Sequence, residues 1–193
     1  MVYDALQGAI LWTVAIAVVG DEKIVSFLSY SLPILLLCRE VQKFLFEVEY
    51  TNTWGYVLTG FYVDNEGNVF SYDHSDEEWQ PNHTTFYTEK ELQEKYSHSK
   101  QLVKTIDPKI LSEQYGLVKE ASRGPWSEPF SRCFDVGRLT YLAYSYEAQT
   151  GKYEPVILQR AGSMAQKNLS GSASSLFEWL NTIDNTFEDF GCQ

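Results

Sequence analysis

Cysteine is scarce in this 193-residue chain: Cys38, Cys133 and Cys192 are too few, and odd in number, for a disulfide scaffold. If the domain is exported, Cys133 and Cys192 are the candidates for one bridge; in a reducing compartment all three are free thiols. The catalytic signatures are missing too. There is no His-Glu-x-x-His pair, no Gly-x-Ser-x-Gly elbow, no P-loop and no dinucleotide-binding glycine pattern. Positive charge is in deficit, with 15 Lys and Arg against 26 Asp and Glu and a net charge of −11. Setting aside residues 1–38 leaves 14 basic and 23 acidic residues, so the remainder is acidic by itself, at −9. Such a surface repels phosphate backbones, which disfavours nucleic acid as a partner.

Against these absences stand 44% hydrophobic and 15% aromatic residues, a composition that folds and favours strands. The apolar residues are unevenly placed. Two runs, 5–20 and 24–38, flank Asp21-Glu22-Lys23. Each is short of the roughly 20 residues a spanning helix needs. Ile24 to Leu37, preceded by Lys23 and closed by Cys38, resembles a bacterial lipoprotein signal with its lipidated cysteine. It departs from that pattern at Leu37, where a small residue is usual, and at the acids Asp21 and Glu22; residues 1–22 would then be an over-extended start. Alternatively the runs pair as a membrane hairpin, with Arg39 and Lys43 marking the cytoplasmic side, or form buried core helices, an arrangement Pro33 disfavours. The expected organisation is an apolar N-terminal helical segment, 1–38, serving as signal or anchor, and one acidic domain, 39–193.

Within that domain Phe44, Phe46, Val48 and Tyr50 alternate with Leu45, Glu47 and Glu49, the period of a half-buried strand. Asp64-Asn65-Glu66-Gly67 is a turn by composition, so Tyr56 to Asp73 reads as a hairpin. Thr88 and Glu91 make a capping box that opens a helix ending by Asp107, ahead of Pro108. Asp107, Pro108 and Gly116 delimit a second helix. The stretch 122–137, with Pro125 and Pro129, is an ordered loop. Leu139 to Glu147 and Tyr153 to Gln159 form a second hairpin, its later strand placed at an edge by Pro155. A mobile stretch from Gly162 to Ser174 precedes a helix capped by Ser175 and Glu178, with Leu176, Leu180, Ile183 and Phe187 as its apolar stripe. These elements predict an α+β fold, an antiparallel sheet built from two hairpins with packed helices.

Candidate chemistry is thin. Asp73, His74, Asp76 and His83, with Glu77 and Glu78, bring carboxylates and imidazoles together as a divalent metal requires, though in no recognised metal spacing. No cofactor is otherwise expected. The aromatic residues Trp54, Tyr56, Tyr62, Tyr72, Trp79, Phe86, Tyr87 and Trp126 cluster around turns and sheet, where side chains with an apolar body and polar tip form ligand-binding faces or an aromatic core. Asn82-His83-Thr84 and Asn168-Leu169-Ser170 fit the N-glycosylation pattern. The sequence thus favours a membrane-tethered or exported, non-enzymatic module that binds a protein or small ligand. The alternatives are an enzyme with a metal or carboxylate site around Asp73 and His74, or a small acidic inhibitor, immunity-like, of a basic partner. The cytoplasmic face of a membrane is the alternative location.

Overall fold

The computed structural model describes residues 42–52, 54, 57–75, 85–98, 100–131 and 134–183. They form a curled antiparallel sheet with four helices. In chain order the strands are β1 (Phe44–Thr51), β2 (Leu58–Asp64), β3 (Asn68–Asp73), β4 (Tyr87–Thr88), β5 (Gln101–Thr105), β6 (Arg138–Glu147), β7 (Lys152–Gly162) and β8 (Gln166–Lys167). The helices are α1 (Glu89–Lys95), α2 (Pro108–Tyr115), α3 (Val118–Ala121) and α4 (Gly171–Asn181). Across the sheet the strands run β4-β7-β6-β1-β2-β3-β5, and β8 pairs with β7. Among the described residues no helix is long and apolar enough to cross a membrane.

Both expected hairpins are present, as β2–β3 and β6–β7. Asp64 makes the first turn: its Oδ1 accepts from the amides of Glu66 and Asn68 at 3.0 and 2.8 Å, and Gly67 takes φ +84°. Strand β1 joins the hairpins, pairing Glu47 with Tyr62 on one side and with Leu142 on the other. Phe46 and Val48 then face one layer with Phe61, Val63, Leu139 and Tyr141, covered by α2, α3 and α4 through Leu111, Val118, Ala121, Leu176 and Leu180. A bulge between Phe44 and Phe46 turns Phe44 to the opposite face. There it packs with Tyr62, Tyr72, Leu142, Tyr144 and Tyr153 under Leu92 and Tyr96, at the end of α1. Both faces of β1 are therefore covered, and the half-buried strand read from its alternation is fully interior at Glu47.

Three local expectations need correction. The helix opened by Thr88 and Glu91 has its capping box but stops at Lys95, and Gln101–Thr105 is instead strand β5 on the outer edge of β3. The pairing groups left open by β3, together with β-branched Val103 and Thr105, outweigh the helical spacing. Pro155 pairs with Tyr144 on one side only, its other side lying open between the β7 residues that take β4 and those that take β8, so β7 is an edge at the proline although short strands flank it elsewhere. The proline's missing N–H is thus aimed at a gap. The last helix starts earlier than Ser175, capped by Ser170, whose Oγ accepts from the Ala173 amide at 3.0 Å. The stretch from Gly162 to Ser174 is tied down by β8 and by the first turn of α4. The second helix stands as read, with Asp107 capping and Pro108 first.

Gly60 is required where Tyr72 lies across the sheet. A Cβ there would sit 2.1 Å from the Val48 carbonyl oxygen and 2.9 Å from the Tyr72 hydroxyl. Gly60→Ala is expected to cost about 1–3 kcal/mol through forced displacement of Tyr72, read as a lowered midpoint in thermal unfolding. An unchanged midpoint would show that the strand yields freely.

Candidate functional site

Strand alternation sends Glu47 and Glu49 to the tyrosine-rich face, and the α1 spacing sends Lys95 to meet them, one turn after Leu92. Glu47 is wholly buried and Lys95 is 1% exposed. The Lys95 Nζ lies 2.7 Å from Glu47 Oε1 and 2.6 Å from Glu49 Oε2. Three hydroxyls complete the shell of Glu47. Tyr72 donates to Oε1, while Tyr96 and Tyr144 donate to Oε2 at 2.9 and 2.5 Å. The rings of Tyr72, Tyr87 and Tyr96 stand 5.7–6.0 Å from the ammonium, within cation–π reach.

The electrostatics follow from this packing. Burial alone would raise the Glu49 carboxyl, but the Lys95 charge and hydrogen bond hold it below the usual range. Burial alone would lower Lys95, and Glu47 and Glu49 together drive it above the ordinary lysine value. Burial first, then the Glu47 charge, push Tyr72, Tyr96 and Tyr144 well above the usual phenol value, so all three stay neutral donors. Glu47 meets four donors and no solvent. A carboxylate so enclosed organises a core; it is not placed to move a proton to or from a substrate.

The residues singled out from sequence are dispersed by the fold. Tyr62 and Tyr72 are interior, Tyr62 stacked on Tyr96 with centroids 4.0 Å apart. Tyr87 is half-buried beside Lys95, and Phe86 is exposed, with the Lys152 Nζ 3.8 Å from its ring centroid. Asp73 and His74 are adjacent yet diverge. Asp73 is exposed and bonded to Ser75, whereas His74 is buried with Nε2 2.5 Å from the Lys95 carbonyl oxygen, which fixes the proton on Nε2. No group of three or more metal-ligating side chains occurs among the described residues. Tyr56, Trp79, Asp76, His83, Cys38, Cys133 and Cys192 lie outside the described residues.

Trp54 and Trp126 remain on the surface, at one end of the sheet. Trp54 is 75% exposed after β1, Phe134 is 87% exposed before β6, and Met164 is 61% exposed after β7. The three turns that carry them adjoin. A Cβ on Gly137 would lie 2.3 Å from the Thr51 carbonyl oxygen, and the Ser163 amide donates to the Gly137 carbonyl at 2.9 Å. The described residues that lead toward Phe134 are paired. They run antiparallel to residues 165–168 through bridges at Trp126–Asn168 and Phe130–Ala165. Amide hydrogen bonds from Ser127 to Lys167 (2.8 Å) and between Phe130 and Ala165 (3.0 and 2.8 Å) secure them. Next to Phe134, Asp135 takes φ +61°, a strained conformation for a residue with a side chain.

Sequence reasoning passed over Glu47, Lys95 and Phe134 as site residues. Lys95 had a signal, since it shares a helix face with Leu92; Phe134 had none beyond being apolar in a loop. Compared with protein-family models, curated proteins and solved structures, the chain matches none.

Proposed function

We propose that this protein is a non-enzymatic binding module, exported and tethered by an apolar, helical N-terminal segment, which takes a protein partner on the end of the sheet bearing Trp54, Phe134 and Met164. The carrying observation is Phe134, 87% exposed, three residues before Gly137, whose backbone packs against the Thr51 carbonyl of β1. Large apolar side chains kept in water at the end of a paired sheet suit the role of interface anchors. Trp126, Phe130 and Leu169 extend the exposed apolar area along the same loop pairing.

The chain enters the domain at the Phe44 end and reaches the apolar end after eight residues, about 25 Å away at strand rise. The closed state of the Glu47 cluster, the only buried ion-pair group among the described residues, also speaks for binding rather than catalysis.

A photo-crosslinking residue placed at position 134 of the full chain is expected to yield a discrete protein adduct, and one placed at Lys109 in α2 none. Trp54→Ser with Met164→Ser should abolish the adduct while shifting stability by no more than about 0.5 kcal/mol, as for other surface changes. Equal labelling from both positions, labelling of lipid alone, or no adduct would refute this reading.

A further inference from the structure

Beside the apolar end, the tyrosine face of the sheet carries two arginines on neighbouring strands. Arg138 pairs with Gly162 and Thr140 pairs with Arg160, so both arginines point to one face as diagonal neighbours across β6 and β7. Diagonal positions of this kind lie about 7–8 Å apart, within reach of two long side chains converging on one small group. Gly162, opposite Arg138, contributes no side chain to fill the space. The Arg160 guanidinium stands 5.8 Å from the ring centroid of Trp126, which limits where its planar fork can turn.

Across β1, Glu49 is the other diagonal neighbour of Arg138, while Arg160 has no ion pair among the described residues. Glu47 and Glu49 are the carboxylates of this face, and both are engaged at short distance by Lys95. Glu49 attracts Arg138 from that diagonal position, with its short contact made to Lys95. Arg160 is partly buried, and its burial together with the nearby Arg138 charge lowers its proton affinity. Two guanidiniums on one face repel one another, and an anion taken between them relieves that repulsion. In a chain of net charge −11 the local excess of cations is also out of character.

We infer that Arg138 and Arg160, with Trp126 as a wall, form a clamp for an anionic group, a carboxylate or a phosphate. Two planar forks match the paired oxygens of either group, and lysines would not reproduce that geometry. Trp126 and Arg138 are exposed, so the clamp opens to solvent. A free anion suffices to occupy it, so this inference stands apart from the protein-partner reading.

The test is a titration of the full chain followed by arginine Nε–Hε NMR signals, with sodium phosphate in one arm and sodium acetate in the other, each against sodium chloride at equal ionic strength. Saturable shifts of Arg138 and Arg160 with phosphate, acetate or both support the clamp, and the arm that saturates names the anion. Arg160→Lys, which keeps the charge and loses the fork, is expected to weaken binding about tenfold. Shifts that match those in chloride, that fail to saturate, or that persist unchanged in Arg160→Lys would overturn it. Should the variant not fold, the titration of the unaltered chain decides.

Discussion

Glu47→Leu is expected to destabilise the domain by about 3–5 kcal/mol, the usual penalty for breaking a buried ion pair from one side. The variant leaves Glu49 to balance Lys95, takes from Tyr72 its carboxylate acceptor, and leaves Tyr96 and Tyr144 with the 3.0 Å contact between their hydroxyls in place of Glu47. Unmet buried hydroxyls cost about 1–3 kcal/mol each before relaxation. Against a total of about 5–15 kcal/mol for an ordinary domain, such a loss is severe. Urea unfolding gives the measurement. Glu47→Gln keeps an oxygen acceptor in place and should be milder, and Glu47→Leu with Lys95→Met should fall short of the summed single losses, because the two groups answer one another. A Glu47→Leu variant within about 1 kcal/mol of the parent would mean that the cluster contributes nothing to stability.

Alkaline pH is expected to unfold the protein over an unusually narrow range. Tyr72, Tyr96 and Tyr144 have proton affinities raised by burial and by the Glu47 charge, and Lys95 is raised by its two carboxylates. In the unfolded chain tyrosine and lysine titrate near their model values, about 10 and 10.4. Above those values the folded state holds protons that the unfolded state has released. Stability contributed by these groups is therefore complete below about pH 10 and falls as pH rises toward their folded values. Each group contributes a slope of about 1.4 kcal/mol per pH unit, so four acting together approach about 5–6 kcal/mol per unit. Tyrosinate absorbance should then rise in step with the loss of folded signal in circular dichroism. A gradual rise in absorbance well before unfolding would show these hydroxyls to be accessible.

Much of the architecture can be read from residue order. The Asp64 turn, the Asp107-Pro108 start of α2, the Thr88 capping box and the β6–β7 hairpin each rest on local chemistry that tertiary packing leaves intact. What escapes is whatever depends on a second layer. Alternation along β1 assigns Glu47 and Glu49 to the solvent side, since nothing local says that α1 and four tyrosines will close over them. The same limit hides β5: Gln101–Thr105 continues a helical spacing from α1, and only the free edge of β3 turns it into a strand. The apolar end is illegible for another reason. Phe134 and Met164 are ordinary loop residues until β6 and β7 bring their turns beside Trp54.

The position of β1 also sets the order of events in folding. It lies between β2, which follows it closely in the chain, and β6, which begins only at Arg138. A growing chain can form the β1–β2–β3 meander early. Until β6 emerges, however, β1 keeps a bare edge, Glu47 lacks the Tyr144 hydroxyl, and the opposite face lacks the cover of α4. Contacts so distant in sequence close slowly. The nascent polypeptide accordingly completes its core only once β6, β7 and α4 have been made, the last stretch of the described chain.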